Sequence, residues 1–384
     1  DGRQPACVTK FKNHTRIHRR QVQTVLPVKT VPALVNRWQK TRRIYMKLIS
    51  FAVPCYNSES YMRRCIESLL TGGSRVEIIL VDDGSTDHTG EIADEYREKF
   101  PNIIKVIHKE NGGHGSGIMA GLAAAEGIYY KVIDSDDWVN EESLQKILDL
   151  IESFMKKGNP LDLIVCNYVY EHEGKKPHTI HYRGIFPRNR QFTWSECGHF
   201  DMTRYMIMHS VFYRTELVRE CDLQIPLHTF YVDNVYLYSP LPLIHTIYYC
   251  DTDFYRYYIG RSDQSVSEAN MIKRVDQQIL VSKIILEKHD LIEIRKTRPK
   301  LYRYMINYAS MMVLISSLFL SLDGSPEALQ KLEDYWKYIR ETVPALYPHI
   351  RHRSLAGFYC HTNKFVRAVT KRAYRIVSKI YKFN

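Results

Sequence analysis

Three aspartates, spaced within four positions, directly follow an apolar run of the sequence. Residues 129–133 have the length and β-branched content of a buried strand, and Asp134, Asp136 and Asp137 come directly after it. Carboxylates that crowd the end of a buried strand are costly unless something positive lies beside them, and hard divalent cations bind such oxygen ligands. The spacing therefore indicates a divalent metal site. The alternative is an acidic turn in which Asp137 caps a helix beginning near Glu141.

The pattern around this stretch alternates between strands and helices. Predicted strands occupy residues 48–54, 76–81, 103–107 and 129–133. Helices fill the gaps between them, and Ser58 is the predicted cap of the first, from about Glu59 to Leu70. Alternation at this spacing predicts βαβ units, and hence an α/β fold with a mainly parallel central sheet flanked by helices. Ligands of such sheets bind beyond the carboxyl ends of the strands.

A polar, acidic or glycine-rich loop follows each of the four predicted strands, at residues 54–57, 82–87, 111–115 and 134–137. One such loop is ordinary turn chemistry, but four at one edge of a sheet favour a nucleotide site. Tyr56 offers a ring for stacking, and Asp82 or Asp83 offers an acceptor for a base N–H. Gly112 and Gly113 allow the backbone to approach a phosphate closely.

The motifs at these loops resemble those of the family 2 glycosyltransferases, of the GT-A (nucleotide-diphospho-sugar transferase) fold and the bacterial cell-surface polysaccharide type. They are Val-Pro-Cys-Tyr-Asn at 53–57, Val-Asp-Asp-Gly-Ser-Thr-Asp at 81–87, Asn-Gly-Gly-His-Gly-Ser-Gly at 111–117 and Asp-Ser-Asp-Asp at 134–137. The resemblance is close over residues 46–140 and loose to 267. It implies a nucleotide-sugar donor, usually a UDP-sugar, together with Mn²⁺ or Mg²⁺. The implied donor-binding residues are Pro54, Tyr56, Asn57, Asp82, Asp83, Gly113, His114, Asp134 and Ser135, and the implied metal ligands are Asp134 and Asp136, with Asp136 as the direct ligand.

Two positions depart from the family pattern. The first is His114, where the family more often has a small or polar residue; it either contacts phosphate or caps the loop. The second is Val232, since the family usually has Glu-Asp opening a helix here, and its Asp is the general base. The resemblance therefore implies that Asp233 is the base of an inverting displacement, and its apolar neighbours predict partial burial and a raised pKa. The alternative role of Asp233 is a helix N-cap, while Arg256 or Arg261 either meets the donor diphosphate or is a solvated charge.

Charge and length suggest how the chain is divided. A chain of 384 residues suggests two domains. We expect residues 1–45 to be a basic, disordered extension with Met46 as the natural start, 46–267 to be the catalytic domain and 268–384 a helical region. The net charge of +12 is uneven, because residues 1–45 hold eleven Lys and Arg against one acid and residues 351–384 hold nine against none. The body between the two ends is therefore negative.

Localisation is predicted from the cysteines and from the last helix. The eight cysteines include no Cys-x-x-Cys, and no apolar segment at the N-terminus marks a secretory signal, which favours a reducing cytosol. Residues 363–382 separate Lys and Arg from Val and Ile as a helix on an anionic membrane does; the alternative is an ordinary packed helix. The apolar residues 305–320 are interrupted by serines and an asparagine, which favours a buried helix over a membrane span. We expect a peripheral protein on the inner face of the plasma membrane, with no nucleic-acid partner.

The leading functional hypothesis is an inverting glycosyltransferase that transfers a sugar from a nucleotide-sugar to a hydroxyl of a glycan or lipid-linked glycan. A sugar-phosphate nucleotidyltransferase would need a glycine-rich loop with a basic residue directly after the first strand, where this chain has Pro-Cys-Tyr-Asn. The other alternative is a non-catalytic nucleotide-sugar-binding protein on the same scaffold. The presence of Asp134, Asp136 and Asp233 argues against it.

Overall fold

The computed structural model of the protein describes residues 46–172, 174–201, 204–259 and 268–360. Its strands are β1 (Ile49–Cys55), β2 (Val76–Asp82), β3 (Ile104–His108), β4 (Tyr129–Val132), β5 (Trp138–Val139), β6 (Leu163–Glu171), β7 (His178–Ile180), β8 (Gln191–Phe192), β9 (Val211–Arg214) and β10 (Ile247–Tyr258). Its helices are α1 (Met62–Leu70), α2 (Thr89–Lys99), α3 (His114–Ala124), α4 (Glu141–Lys156), α5 (Thr215–Glu220), α6 (Asp233–Tyr238), α7 (Glu268–Lys273), α8 (Val275–Glu287), α9 (Leu291–Thr297), α10 (Pro299–Asp323), α11 (Pro326–Thr342) and α12 (Tyr347–His352). These strands belong to one ten-stranded sheet.

Strands β1 to β4 form a parallel half of the sheet, in the order β3-β2-β1-β4. Each begins within one residue of its predicted position. β1 and β2 are buried at every position, as their apolar runs without alternation predict for strands covered on both faces. The predicted parallel βαβ arrangement is therefore confirmed in this half.

The other half of the sheet is mixed. β9 lies between β4 and β6 and is antiparallel to both, whereas β6 and β10 are parallel. The register of β10 against β6 shifts twice between Cys250 and Tyr255, which marks bulges in this long strand. Beyond the bulges β10 pairs with β5, the short strand that follows the acid cluster. The end of β10 is thereby placed beside Asp134 and Asp137.

Two predicted helix caps are wrong. α1 begins at Met62 rather than near Glu59, because Ser58 lies in a turn and its hydroxyl pairs with that of Ser135 at 2.8 Å. Asp137 does not cap α4; Asn140 does, accepting a hydrogen bond from the Ser143 N–H at 2.9 Å. Both side chains are instead held by contacts with distant parts of the sequence.

The described elements after residue 267 are all helical. α10 has 25 residues and ends before Gly324, which adopts a left-handed conformation at φ +67°. Of the described helices, α10 alone is long and apolar enough to cross a membrane, and 72% of its most apolar stretch is buried inside the protein. This burial fits the predicted core helix.

Several predictions concern residues outside the described ranges. They are the basic extension 1–45, Arg261 and the amphipathic helix at 363–382. These, and the proposed domain boundary at 267, stay predictions.

Candidate functional site

The ends of four neighbouring strands bring the predicted residues to one edge of the sheet. Cys55 at the end of β1 lies opposite Asp82 at the end of β2, and Asp82 lies opposite His108 at the end of β3. β4 pairs with the other side of β1 and leads into Asp134. The loops after these strands therefore share one rim, as expected for a parallel sheet.

Asp83 organises the glycine-rich loop. One carboxylate oxygen accepts from Lys109 at 2.6 Å, from the Gly112 N–H at 3.0 Å and from the Ser116 hydroxyl at 3.0 Å. The other accepts from the Gly113 N–H at 2.7 Å. The N–H groups of this loop thus point at Asp83 inside the protein. The role of Asp83 as an acceptor for a base stays a prediction, beside a structural role that the sequence did not reveal.

Gly113 has no room for a side chain. Its φ of +84° is a conformation that other residues rarely adopt, and a Cβ would lie 3.1 Å from the backbone of His228. The His228 N–H donates to the Gly112 carbonyl at 2.8 Å. The glycine-rich loop is therefore clamped by the segment that precedes α6.

Asp82 and Asn57 brace the loop after β2. Asp82 accepts from the Ser85 N–H at 3.0 Å and pairs with His108 at 3.0 Å. Burial raises the pKa of the Asp82 carboxyl, but these hydrogen bonds outweigh burial and hold it below its usual value. Asn57, at φ +48°, accepts from the Thr86 N–H at 2.8 Å.

The other predicted donor ligands lie along the same rim. The Tyr56 ring is 54% exposed, which suits the stacking predicted for it. Pro54 packs against Gly117, where a Cβ would lie 2.7 Å from the Pro54 ring. The Ser135 hydroxyl joins this rim to the turn at Ser58. Their contacts with a donor stay predictions.

His114 opens α3 and reaches across to the acid cluster. Its Nε2 lies 2.9 Å from an Asp134 oxygen. Burial lowers the pKa of His114, but the hydrogen bond to Asp134 and the negative charges of three carboxylates raise it above its usual value; these belong to Asp134, Asp233 and Asp136. Burial likewise raises the pKa of Asp134, but His114 outweighs burial and brings it to about 2. The predicted metal acids and the predicted base thus act on one imidazole.

His209, which the sequence pattern did not single out, lies beside the acid cluster. The ring is buried between Tyr255 and Tyr257, with ring centroids 4.4 and 4.3 Å away. Neither ring nitrogen has a hydrogen-bond partner among the described residues, and Nε2 lies 3.8 Å from an Asp134 oxygen. Burial lowers the pKa of His209 to about 4, so the ring is neutral at pH 7.

Lys131 fixes the backbone that carries His209. This lysine in the middle of β4 is fully buried, and its ammonium donates to the carbonyls of Met208 at 2.7 Å and His209 at 2.8 Å. Burial lowers the pKa of Lys131 to about 7. A lysine inside an apolar strand was the signal in the sequence that a polar partner lay nearby.

The acid cluster fits a divalent cation. Ligand atoms of Asp134, Asp137 and His209 lie within 4.8 Å of one another, and the unpaired His209 nitrogen offers a free lone pair. Carboxylates and a neutral imidazole are ligands that Mn²⁺ accepts. The half-buried Asp136 is not in this group, so its role as the direct ligand stays a prediction.

Asp137 is held from the far end of β10. It accepts from the Tyr255 hydroxyl at 2.6 Å and from the Tyr258 N–H at 2.8 Å. Burial and the charges of Asp136 and Asp134 raise the pKa of Asp137 well above its usual value.

Asp233 opens α6 beside this cluster. It is the first helical residue, and Val232 occupies the N-cap position, so the alternative role as N-cap is wrong. Burial raises the pKa of Asp233 to about 6, opposed by the positive charge of His114. The Asn234 amide donates to Asp233 at 3.2 Å and accepts from the Tyr308 hydroxyl of α10 at 2.7 Å. At neutral pH this carboxylate can accept a proton.

Comparison with known proteins finds similarity to glycosyltransferases. The model of glycosyl transferase family 2 matches residues 50–215. The putative glycosyltransferase EpsH of Bacillus subtilis (strain 168) is 28% identical over 309 residues, which cover 74% of this chain and 81% of EpsH. The uncharacterized glycosyltransferase EpsJ of the same strain is 40% identical over 122 residues, 32% of this chain and 34% of EpsJ. The crystal structure of S. aureus TarS 1–349 in complex with UDP-GlcNAc shares the fold, with a TM-score of 0.59 and 22% identity over 86% of this chain and 92% of that one.

Residues 50–215 of the chain form a glycosyl transferase family 2 domain. Its fold is of the GT-A type, with a curled mixed sheet and a helical region after it. The matched residues 50–215 of this glycosyltransferase include the four strand-end loops and His209, but they end before Asp233.

One of the two arginines that the sequence offered as contacts for the donor diphosphate forms an ion pair within the protein. Arg256 on β10 forms an ion pair with Glu171 at 2.9 Å, and it is largely buried. Arg256 is therefore not the solvated surface charge that was its alternative role. A donor diphosphate would have to compete with Glu171 for Arg256.

Proposed function

We propose that this glycosyltransferase moves a sugar from a nucleoside-diphosphate sugar, a UDP-sugar, to a hydroxyl group of a glycan or lipid-linked glycan in surface glycan synthesis. The observation that carries the proposal is the convergence of Asp134, Asp136 and Asp233 on the His114 imidazole at the carboxyl edge of the sheet. The UDP-GlcNAc bound to TarS, a neighbour in fold, supports the choice of donor.

Asp233 is suited to act as the general base. The acceptor oxygen attacks the anomeric carbon, the bond from that carbon to the diphosphate oxygen breaks, and Asp233 takes the hydroxyl proton. A pKa of about 6 keeps the carboxylate ionised at neutral pH while leaving it more basic than an ordinary aspartate. One displacement of this kind inverts the anomeric centre.

The acid cluster is suited to hold a divalent cation, Mn²⁺ or Mg²⁺, near the leaving group. Asp134 and His209 would hold it, with Asp136 or Asp137 completing the set. The cation would stabilise the negative charge of the nucleoside diphosphate as a Lewis acid. The neighbouring carboxylates raise the pKa of His114, and the imidazole would add a positive charge beside these acids when it is protonated.

The proposal is tested by a panel of nucleotide-sugars. Thermal shift with and without Mn²⁺ identifies the donor, and NMR of the product then gives the anomeric configuration. We expect one UDP-sugar to raise the melting temperature, more strongly with Mn²⁺, and the product to have the inverted configuration. The absence of stabilisation by any nucleotide-sugar would contradict the proposal. Binding without hydrolysis or transfer would favour a non-catalytic binding protein.

The proposed location is the inner face of the plasma membrane. Support comes from the sequence, because the basic residues concentrate at 1–45 and 351–384 while the body is negative. Such ends suit an anionic membrane surface and a lipid-linked acceptor.

A further inference from the structure

A pocket of about 240 Å³ lies between the loop 197–200 and the first turns of α10. Phe200 and Tyr304 form its aromatic walls, with ring centroids 4.5 Å apart. Lys300 joins the two sides, because its ammonium donates to the Cys197 carbonyl at 2.7 Å. The pocket is therefore formed by packed elements that are already tied together.

The pocket is positively charged. Lys300 and Arg303 line it at a three-residue step, and His199 lines it from the loop. Neither Lys300 nor Arg303 has an ion-pair partner within the described ranges. The nearby Glu196 is paired with Arg190 at 2.7 Å. The N-terminal end of the 25-residue α10 adds the positive end of the helix dipole.

A buried polar group beside the pocket also lacks a partner. The hydroxyl of Tyr304 is buried and has no hydrogen-bond partner among the described residues. The same holds for the indole N–H of Trp194, whose ring centroid lies 5.5 Å from that of Tyr304. Two cations, a histidine and aromatic walls together suit an anion attached to a carbon skeleton. The volume exceeds that of a phosphate group alone and leaves space against the rings.

The pocket is connected to the candidate base through α10. Tyr304 lies one helical turn before Tyr308, about 6 Å along the axis, and the Tyr308 hydroxyl donates to Asn234 next to Asp233. The ring centroid of Tyr304, which lines the pocket, lies 6.0 Å from that of Tyr308, so these two side chains connect the pocket to the residue next to Asp233. This connection to the candidate base favours a neighbouring unit of an extended acceptor over the donor, whose predicted ligands lie on the rim of the sheet.

We propose that this pocket binds a phosphate group of the acceptor, so that the acceptor is a phosphate-bearing glycan or polyol. The proposal rests on the proposed function and names the acceptor class for it. Binding requires the charges of Lys300 and Arg303 together, and the aromatic walls contact the carbon chain next to the phosphate.

The test compares two matched double variants. Lys300→Gln/Arg303→Gln removes the two charges of the pocket and keeps a hydrogen-bond donor for the Cys197 carbonyl. Lys337→Gln/Arg340→Gln makes the same change at the same spacing on exposed positions of α11. Binding of glycerol 3-phosphate, glycerol and inorganic phosphate is measured by NMR titration, with UDP present to occupy the donor site. Melting temperatures confirm that each variant is folded.

We expect glycerol 3-phosphate to bind at least tenfold more weakly to the pocket variant and unchanged to the α11 variant, with glycerol not binding. In transfer assays the pocket variant should raise KM for phosphate-bearing acceptors at least tenfold and leave the KM for the donor unchanged. The conservative Arg303→Lys variant keeps both positive charges and should retain most of the affinity of the parent for glycerol 3-phosphate.

Three outcomes would overturn the proposal. Equal binding of glycerol 3-phosphate to both variants would place the phosphate elsewhere. Binding of inorganic phosphate alone, with no preference for phosphate-bearing acceptors, would make the pocket a site for free anions. If the pocket variant binds phosphatidylglycerol vesicles more weakly than the parent does, and the parent does not bind glycerol 3-phosphate, the pocket is a membrane contact. If no sugar is transferred to any acceptor, the proposed function fails, while the binding experiment still decides the nature of the pocket.

Discussion

The Asp233 carboxyl sets the expected pH dependence of sugar transfer. Burial raises the pKa of Asp233 to about 6, and the protonated form cannot accept the proton of the acceptor hydroxyl. We therefore expect kcat/KM to fall as the pH drops through about 6 and to level off above it. In Asp233→Asn this limb should vanish and turnover should fall by about 10²–10⁴-fold, with donor affinity retained.

The exposed Asp334→Asn on α11 is the control for this prediction, because it makes the same change away from the site. Rates across pH 5–8 and donor titrations measure both variants. Transfer by Asp233→Asn at the parental rate would place the base elsewhere.

The acid cluster leads to a prediction about metal ligands. Asp136→Ala should abolish transfer and leave the fold intact, since it removes a predicted oxygen ligand at a polar rim. His209→Phe keeps a ring between Tyr255 and Tyr257 but removes the unpaired nitrogen. Isothermal titration calorimetry with Mn²⁺ measures whether each of the two variants still binds the metal. If Asp136→Ala binds Mn²⁺ as the parent does and transfers sugar after EDTA treatment, Asp136 is not a ligand.

At the scale of elements, the contact between the glycine-rich loop and the segment before α6 joins the donor rim to the base. Gly113→Ala should disturb this contact, because φ of +84° is strained for alanine and the new Cβ would lie 3.1 Å from the His228 backbone. Such strain costs on the order of 1–3 kcal/mol. We expect a lower melting temperature and a higher KM for the donor.

Gly158→Ala is the matched control, since Gly158 also has a positive φ but has nothing within 4 Å of the place that the added methyl group would take. It should lower the melting temperature less and leave the donor KM unchanged. An equal rise in donor KM for both variants would contradict the proposed contact.

The strands were predictable from sequence, whereas several partners within the site were not. β1 and β2 are buried at every position, and the limits of β1 to β4 were found to within one residue. Turn residues placed Asp83 and Asp134 at strand ends. Two features depend on contacts between residues that are distant in the sequence. The Asp83 carboxylate accepts hydrogen bonds from the glycine-rich loop, and His209 is buried between two tyrosines. Local sequence carries no signal for such contacts.

The same limit explains Ser58 and Asp137. Both have the residue type of a helix cap, but each is bound by a distant partner, Ser135 and Tyr258 respectively. Local capping preference is about 1 kcal/mol, and tertiary hydrogen bonds of similar size override it.

At the scale of the whole molecule, the helical region supports the site as well as extending the fold. Tyr308 of α10 bonds Asn234 beside the base, and Gln277 of α8 accepts from the Phe230 N–H at 2.8 Å. The helices thus brace the segment that carries Asp233. We expect substitutions in this helical region to affect the acceptor side of the reaction more strongly than the donor side.

The uneven charge of the chain leads to the last prediction, that residues 363–384 hold the protein on anionic membranes. Residues 351–384 carry nine Lys and Arg and no acid, on a body that is negative. Each Lys or Arg near an anionic leaflet contributes roughly 1 kcal/mol, so a few in contact suffice for reversible binding. Flotation with phosphatidylglycerol vesicles should carry the full chain at low salt and less of it at high salt, because salt screens the attraction. Removal of residues 363–384 should leave the protein unbound, and duplex DNA should not compete with the vesicles. A full chain that stays at the bottom of the gradient at low salt would contradict the prediction and leave the segment as a packed helix.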